Sequence, residues 1–408
     1  MAYRRIARLS GGGEEIYRYT TSLPHDHEIL PYAIRVLEAH TLHLKERGII
    51  PSDAADKVLE TLRELREVEP PREGYEDVWE WIEDELEKLT GGASRWIWIG
   101  RSRNDHMSAA LRLLAADRLK QLISAAGRLE EAAGKLARKY QGSPIPLHTH
   151  GIPSQVGSVA CLADAWAEAA RTISEMARSV LRLVERSPLG AGAGAGTLAP
   201  IDPEGLSRIA GLGKPLSSSV YAAGSRLDVS AAAAAAALAL AEASRIAGDL
   251  ILYSSPYVGI FRLPDSHVAT SSIMPHKRNP ATMEVLIARA KRAAGCLAGI
   301  LSIQAGLPSG YSLDLQEANP CIYEVLRDAA ESLYILADSI ENLEVDEDKA
   351  LETLERFSPW SAEEAERRSL EEGKPLRETY AQVAKNLESL KGMDPKWPLR
   401  LRKTGCRE

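Results

Sequence analysis

A chain of 408 residues, 45% hydrophobic and 26% charged, has the balance of a folded globular protein rather than a disordered one. Its net charge of −7 comes without a polybasic stretch, which argues against nucleic acid or a membrane surface as partner and for a small-molecule ligand. No apolar run approaches the roughly 18 to 20 residues that span a bilayer, because the alanine-rich segment 231–243 meets Glu242. Residues 1–15 offer no apolar core of a signal peptide, so a cytoplasmic protein is expected. Cys161, Cys296, Cys321 and Cys406 are far apart with no CxxC pair. They are expected to be reduced packing residues, with no metal and no cofactor.

In chain order the periodicity is helical. Within 31–47, Ile34, Leu37 and Leu44 stand three and seven residues apart, a helical spacing, with Leu42 between them, and 52–68 repeats the pattern behind Ser52 as N-cap. Loops follow at Pro70 to Gly74 and at 90–94. The segments 108–140, 156–184 and 227–252 exceed the mean helix length of about 11 residues and carry Ala on several faces, which suits the inside of a long bundle. A break near Val345 precedes two or three short charged helices. Sheet-type alternation is missing. The expectation is an all-α chain with a helical domain at 1–97, a central long-helix bundle at 98–345 and a small helical domain at 346–408.

Four polar interruptions break the helices. "GRSRNDH" (100–106) places guanidinium forks, a hydroxyl and an amide ahead of a helix expected near Met107, either as a carboxylate site or as an ordinary cap with solvated arginines. "PLHTHGIPSQ" (146–155) puts His148, Thr149 and His150 in a proline-flanked turn where a near-neutral group could move a proton, though exposed loop histidines are commoner. "LGAGAGAGT" (189–197) lacks the preceding strand and following Lys of a phosphate loop, and reads as a turn that brings backbone close to a substrate. "SSIMPHKRNP" (271–280) cannot be helical between Pro275 and Pro280. It ends at a helix N-terminus, where Lys277 and Asn279 suit an anion that develops during reaction, and Glu284 sits on the next turn.

This last stretch resembles the GSSxMPxKxNP signature of the fumarase/aspartase superfamily, with Thr270 in place of Gly. Within that superfamily, "GRSRND", "TH" (149–150), "PLGAGAGAGT" (188–197), "GLPSGYSLDLQE" (306–317) and "SLPHDHEI" (22–29) resemble the argininosuccinate lyases in order and spacing, over most of residues 15–340. The resemblance implies a three-domain fold whose central helices form the core of a homotetramer, with active sites shared between subunits. It implies an anti elimination of argininosuccinate, the last step of arginine biosynthesis, without metal or cofactor. By similarity Ser271 is the base, Lys277 and Asn279 hold the aci-carboxylate, and His150 assists, paired with Glu284 across subunits. Ser22, Ser102, Arg103, Asn104 and Thr149 hold the succinyl carboxylates, while Asp26, Tyr311 and Gln316 address the arginine part. The loop 271–280 is then a lid. The chain departs from the pattern at Trp79 (His in the family's EDIHxxxE), Ile152, Ala281, Asn319 (Lys) and in "GSRLD" (224–228). Adenylosuccinate lyase or another fumarate-releasing lyase of the same superfamily, or a noncatalytic crystallin-like scaffold, are the alternatives; retention of Ser271, His150, Lys277 and Glu284 speaks against a scaffold.

Overall fold

The computed structural model describes residues 14–402 together with 405 and 406; the expectation about a signal peptide falls largely on residues 1–13, outside the described residues. The helices of the amino-terminal region are α1 (Glu14–Thr20), α2 (Leu30–Glu46), α3 (Ser52–Leu65) and α4 (Val78–Thr90). Next come α5 (Arg103–Lys139), the strands β1 (Pro144–Thr149) and β2 (Ile152–Ser158), α6 (Val159–Val184), α7 (Pro203–Ala210), α8 (Ser219–Gly224) and α9 (Leu227–Ser254). After β3 (Phe261–Arg262) follow α10 (Ala281–Gln304), α11 (Asp314–Glu317) and α12 (Asn319–Glu341). The strand β4 (Glu344–Val345) leads to α13 (Glu347–Phe357), α14 (Ser361–Glu372), α15 (Leu376–Lys385) and α16 (Trp397–Leu401). The class is all-α, as the periodicity requires, and the strands form two short antiparallel pairs.

The chain divides into two compact units. The first comprises Met1–Gln121, Met176–Ala237 and Arg292–Asp328, the second Leu122–Glu175, Leu238–Lys291 and Ala329–Glu408. Helices α5, α6, α9, α10 and α12 each contribute residues to both.

In the first unit, α3 buries Ala55, Val58, Leu62 and Leu65, the apolar stripe of a 3.6-residue period. Ser52 is its first helical residue rather than its cap, a position that Pro51 takes in extended conformation. The start of α4 is capped by Asp77, whose carboxylate accepts from the Glu80 amide at 2.7 Å. Arg112 on α5 is fully buried and pairs with Asp228 on α9 at 2.8 Å, while Ser108 Oγ donates to the Ala222 carbonyl at 2.8 Å. These contacts fix where α9 begins.

In the second unit, β1 and β2 form a hairpin where the sequence suggests only a turn, so α6 begins at Val159 instead of Val156. Prolines at 144, 146 and 153 deny this stretch a helix but tolerate short edge strands. The four carboxyl-terminal helices pack around Trp360, which is fully buried with Leu354, Val383, Leu390, Leu399 and Val156 of β2, and whose indole donates to the Leu390 carbonyl at 3.2 Å. Cys161 and Cys406 are joined in a disulfide with Cα atoms 5.4 Å apart, a normal span, which corrects the expectation that all four cysteines stay reduced. They lie 245 residues apart, so only the docking of the chain end beside β2 brings them together.

The helix α9 also corrects the reading of residues 231–243. Its mean hydropathy of 1.4 and length are enough to cross a membrane, yet most of it is buried within the protein. Alanine is apolar and small, so a run of it serves close helix packing as readily as a bilayer.

Candidate functional site

The helix α5 begins at Arg103, earlier than expected, so Arg103, Asn104 and Asp105 form its first turn. Ser102 precedes it and acts as a cap: its hydroxyl accepts from the Asn104 amide at 3.2 Å, while Asp105 reaches back to the Ser102 amide at 3.0 Å. The other oxygen of Asp105 accepts from the Gly192 amide at 2.9 Å. The glycine loop 189–197 therefore spends this backbone donor on Asp105. Gly192 has φ 57, and a side chain there would meet the Gly196 carbonyl oxygen at 2.8 Å. Burial raises the Asp105 carboxyl to about 6, against the stabilising amides.

At this helix end, within the first unit, opens a cavity of about 510 Å³. Six of the predicted binding residues line it: Ser22, Ser102, Arg103, Asn104, Tyr311 and Gln316. Two of the departures line it as well, Trp79 and Asn319. The indole of Trp79 donates to Met107 Sδ at 3.5 Å and lies 5.9 Å from the His106 ring, so this wall is a packed aromatic. Beneath it, His40 and His106 are buried with ring centroids 5.0 Å apart. Desolvation lowers His40 to about 3 and His106 well below its usual value, which keeps both neutral and structural.

Charge in this wall is organised by Glu83. Its two oxygens take Arg101 at 3.0 Å and Arg103 at 2.7 Å, and the Arg101 side chain is only 1% exposed. Arg103 also faces Asp77 at 3.4 Å and Glu76 at 3.6 Å. Against desolvation, these carboxylates hold the Arg103 guanidinium above its ordinary pKa. Arg103 is therefore shared among three protein carboxylates.

Asp26 does not line the cavity. It is buried, and one carboxylate oxygen accepts from Ser22 Oγ at 2.8 Å and from the Val78 amide at 3.1 Å. Burial raises it to about 7. Its direct contact is to Ser22 and the start of α4. Gln316 lines the cavity while its amide donates to the Thr20 carbonyl at 3.1 Å.

Sequence reasoning missed Arg226. It lines the cavity, is buried, stacks 5.9 Å from the Tyr311 ring and donates to the carbonyls of Ala223 and Ser225 at 3.2 and 3.0 Å. Burial and then Arg112 lower it to about 10. The signal was the arginine in "GSRLD", set off by its departure from the family spacing.

The second unit carries Thr149, His150, Ser271, Lys277, Asn279 and Glu284. His150 and Gly151 form the two-residue turn of the β1–β2 hairpin with φ 55 and 75, which matches the tight turns that twisted hairpins prefer. Thr149 and His150 are exposed at its tip. His148 instead packs edge-on against Tyr253, whose hydroxyl lies 3.3 Å from His148 Nδ1 and donates to the Pro146 carbonyl at 2.8 Å. Of the two histidines, the structure leaves His150 available.

The loop 270–278 is closed at its neck by reciprocal amide–carbonyl bonds of 2.9 Å between Ala269 and Asn279. Ser271 Oγ accepts from the Ile273 amide at 3.3 Å, and Ser272 through Arg278, Lys277 included, are exposed. Below the neck, buried His267 bridges Thr282 Oγ1 at 3.1 Å and Asp338 at 3.0 Å. Arg278 pairs with Asp265 at 2.6 Å. Glu284 is exposed on the first turn of α10 and contacts no histidine among the described residues.

A family model described as a lyase matches residues 14–295. The chain is 38% identical over 392 residues to the argininosuccinate lyase of Pyrobaculum calidifontis, covering 95% of this chain and 90% of that one. It is 40% identical over 380 residues to the argininosuccinate lyase of Pyrobaculum islandicum, covering 92% and 88%. Among solved structures, an EDDS lyase variant with bound fumarate superposes with a TM-score of 0.79 at 23% identity, covering 91% of this chain and 75% of that one, a likeness of fold. Identity of this size over about nine-tenths of both chains is what common descent leaves, and the chain belongs to the argininosuccinate lyase family.

Proposed function

We propose that the protein splits argininosuccinate by anti elimination into L-arginine and fumarate. The observation that carries this reading is the cavity at the start of α5, where Ser102, Arg103 and Asn104 meet Tyr311 and Gln316 within a chain so close to argininosuccinate lyases. Amide, hydroxyl and guanidinium donors at a helix N-terminus fit a succinyl carboxylate. The single-walled aromatic and amide side, with Arg226, fits an arginine moiety that carries both a guanidinium and a carboxylate.

In this mechanism Ser271 takes the proton beside a carboxylate, and Lys277 with Asn279 stabilises the aci-carboxylate that results. Such charge stabilisation is the largest contribution available, because a carbon-bound proton is so weakly acidic. His150, oriented by Glu284 of a neighbouring subunit, moves a proton toward the departing guanidinium nitrogen. Thr149 and Ser22 complete the hold on the succinyl part, and Asp26 acts by placing the Ser22 hydroxyl. The lid closes to deliver Ser271 and exclude water. The working form is a cytoplasmic homotetramer with active sites shared between subunits, and the domain limits fall near 97 and 345.

Fumarate release, followed by ultraviolet absorbance with argininosuccinate and adenylosuccinate offered separately, tests the reading. Release from argininosuccinate alone, abolished in Ser271→Ala, is the expected result. A folded protein that releases nothing from argininosuccinate overturns it and points to Trp79 and Asn319 as marks of another substrate.

A further inference from the structure

Two thiols remain outside the Cys161–Cys406 bond, Cys296 on α10 and Cys321 on α12, both half-buried. Within the first unit, Arg292 reaches Asp328 and Glu324 at 2.6 Å each, and Cys296 Sγ lies 3.9 Å from Glu324. Residue numbers rise on one helix as they fall on the other, so these helix segments run antiparallel. Cys321 stands one turn before Glu324 on the same face of α12. Its thiol is within hydrogen-bonding reach of Cys296. Between the two cysteines lies the segment that brings Tyr311, Leu313, Leu315, Gln316 and Asn319 into the cavity wall.

We propose that Cys296 and Cys321 are a redox-active pair that forms a second disulfide, tying α10 to α12 and stapling the segment that carries Tyr311 and Gln316. The oxidant is a small disulfide such as oxidised glutathione: each cysteine loses its hydrogen, the two sulfurs bond, and the glutathione leaves as two thiols. Burial and the neighbouring Cys321 thiol push Cys296 up to about 12. One of the two thiols attacks the oxidant and takes up glutathione, and the other then displaces that glutathione to close the bond. Acidic and cationic neighbours are Glu324 and Arg292, which flank the pair without ligating a metal; no cluster of metal-binding side chains exists among the described residues. The bond restricts the unfolded chain and holds the cavity wall in place.

The test uses the full-length protein in its native assembly, incubated with oxidised glutathione, unfolded without reductant, alkylated with a maleimide and mapped by peptide mass. Before oxidation, Cys296 and Cys321 take up label; afterwards neither does, and a peptide pair joined through them appears beside the Cys161–Cys406 pair. In Cys296→Ser the glutathione stays on Cys321 as a mixed disulfide. Oxidised wild type melts several degrees above Cys296→Ser and above Cys321→Ser. Label uptake unchanged by oxidant, or glutathione carried separately by both cysteines of the wild type, overturns the proposal. None of these readouts depends on the substrate assignment.

Discussion

The wall at the start of α5 and the loop 270–278 make opposite use of polar residues. In the first, Arg101, Asp105 and Glu83 are buried and each charge has a partner, so the donors that face the cavity stand on a fixed frame. In the second, Ser271 and Lys277 sit above a neck of two backbone bonds formed by Ala269 and Asn279, and the loop from Ser272 to Arg278 is exposed. Dense burial gives a binding wall that is shaped before substrate arrives, and sparse contact gives a segment that opens at low cost. On the proposed reading, recognition and chemistry are thereby given different local stabilities.

The comparison predicts that changes on the loop cost rate while changes in the wall cost stability. Ser271→Ala is expected to lower kcat by about a thousandfold, the range for loss of a general base, with an unchanged melting curve; fumarate release and calorimetry check the two halves. Glu83→Gln removes one charge from between two arginines and leaves Arg101 buried without its counter-ion, which costs about 3–5 kcal/mol and lowers Tm by roughly 10 °C. Unchanged Tm would mean that the wall is not a fixed frame.

Thr282→Val takes away the hydroxyl that lies 3.1 Å from His267 Nδ1 and donates to the His267 carbonyl at 3.2 Å. Loss of about 1 kcal/mol of anchoring is expected to show as a several-fold fall in kcat with KM unchanged. The smallest effect concerns pH. Folded Asp26 keeps its proton up to about 7 while the unfolded chain releases it near the ordinary 3.8, so the folded form binds more protons between these values and stability falls as pH rises through the window. Asp26→Asn preserves the acceptor for Ser22 and Val78 and abolishes that loss, so its Tm relative to wild type is expected to climb by a few degrees from pH 4 to pH 8. His40 acts with the opposite sign: its folded value of about 3 lies below the unfolded 6.5, so its stabilisation is lost as pH falls below 6.5, in both proteins alike.

Helix positions were legible because burial on one side imposes a 3.6-residue period, and α2, α9 and α10 begin within one residue of where the periodicity or prolines place them. The start of α5 was legible less well, since Ser102 and Asp105 cap it from within a run that also looks like a loop. The hairpin 144–158 was hidden by its brevity. Among the residues that line the cavity, Ser102, Arg103, Asn104, Tyr311 and Gln316 carry their chemistry openly in short polar motifs, whereas Arg226 needed the fold to show that a buried cation faces the cavity.

By itself the sequence determined the helical class, the lyase signature and the separation of polar motifs from packing helices, since each depends on residue type and short-range spacing. Only the tertiary structure decided that His148 is held by Tyr253 while His150 is exposed, that Asp26 serves Ser22 from beneath the surface, and that Cys161 meets Cys406. Those outcomes turn on which distant segments pack together, and contact between residues more than a hundred positions apart is set by the sum of burial over whole helices, which no local pattern records.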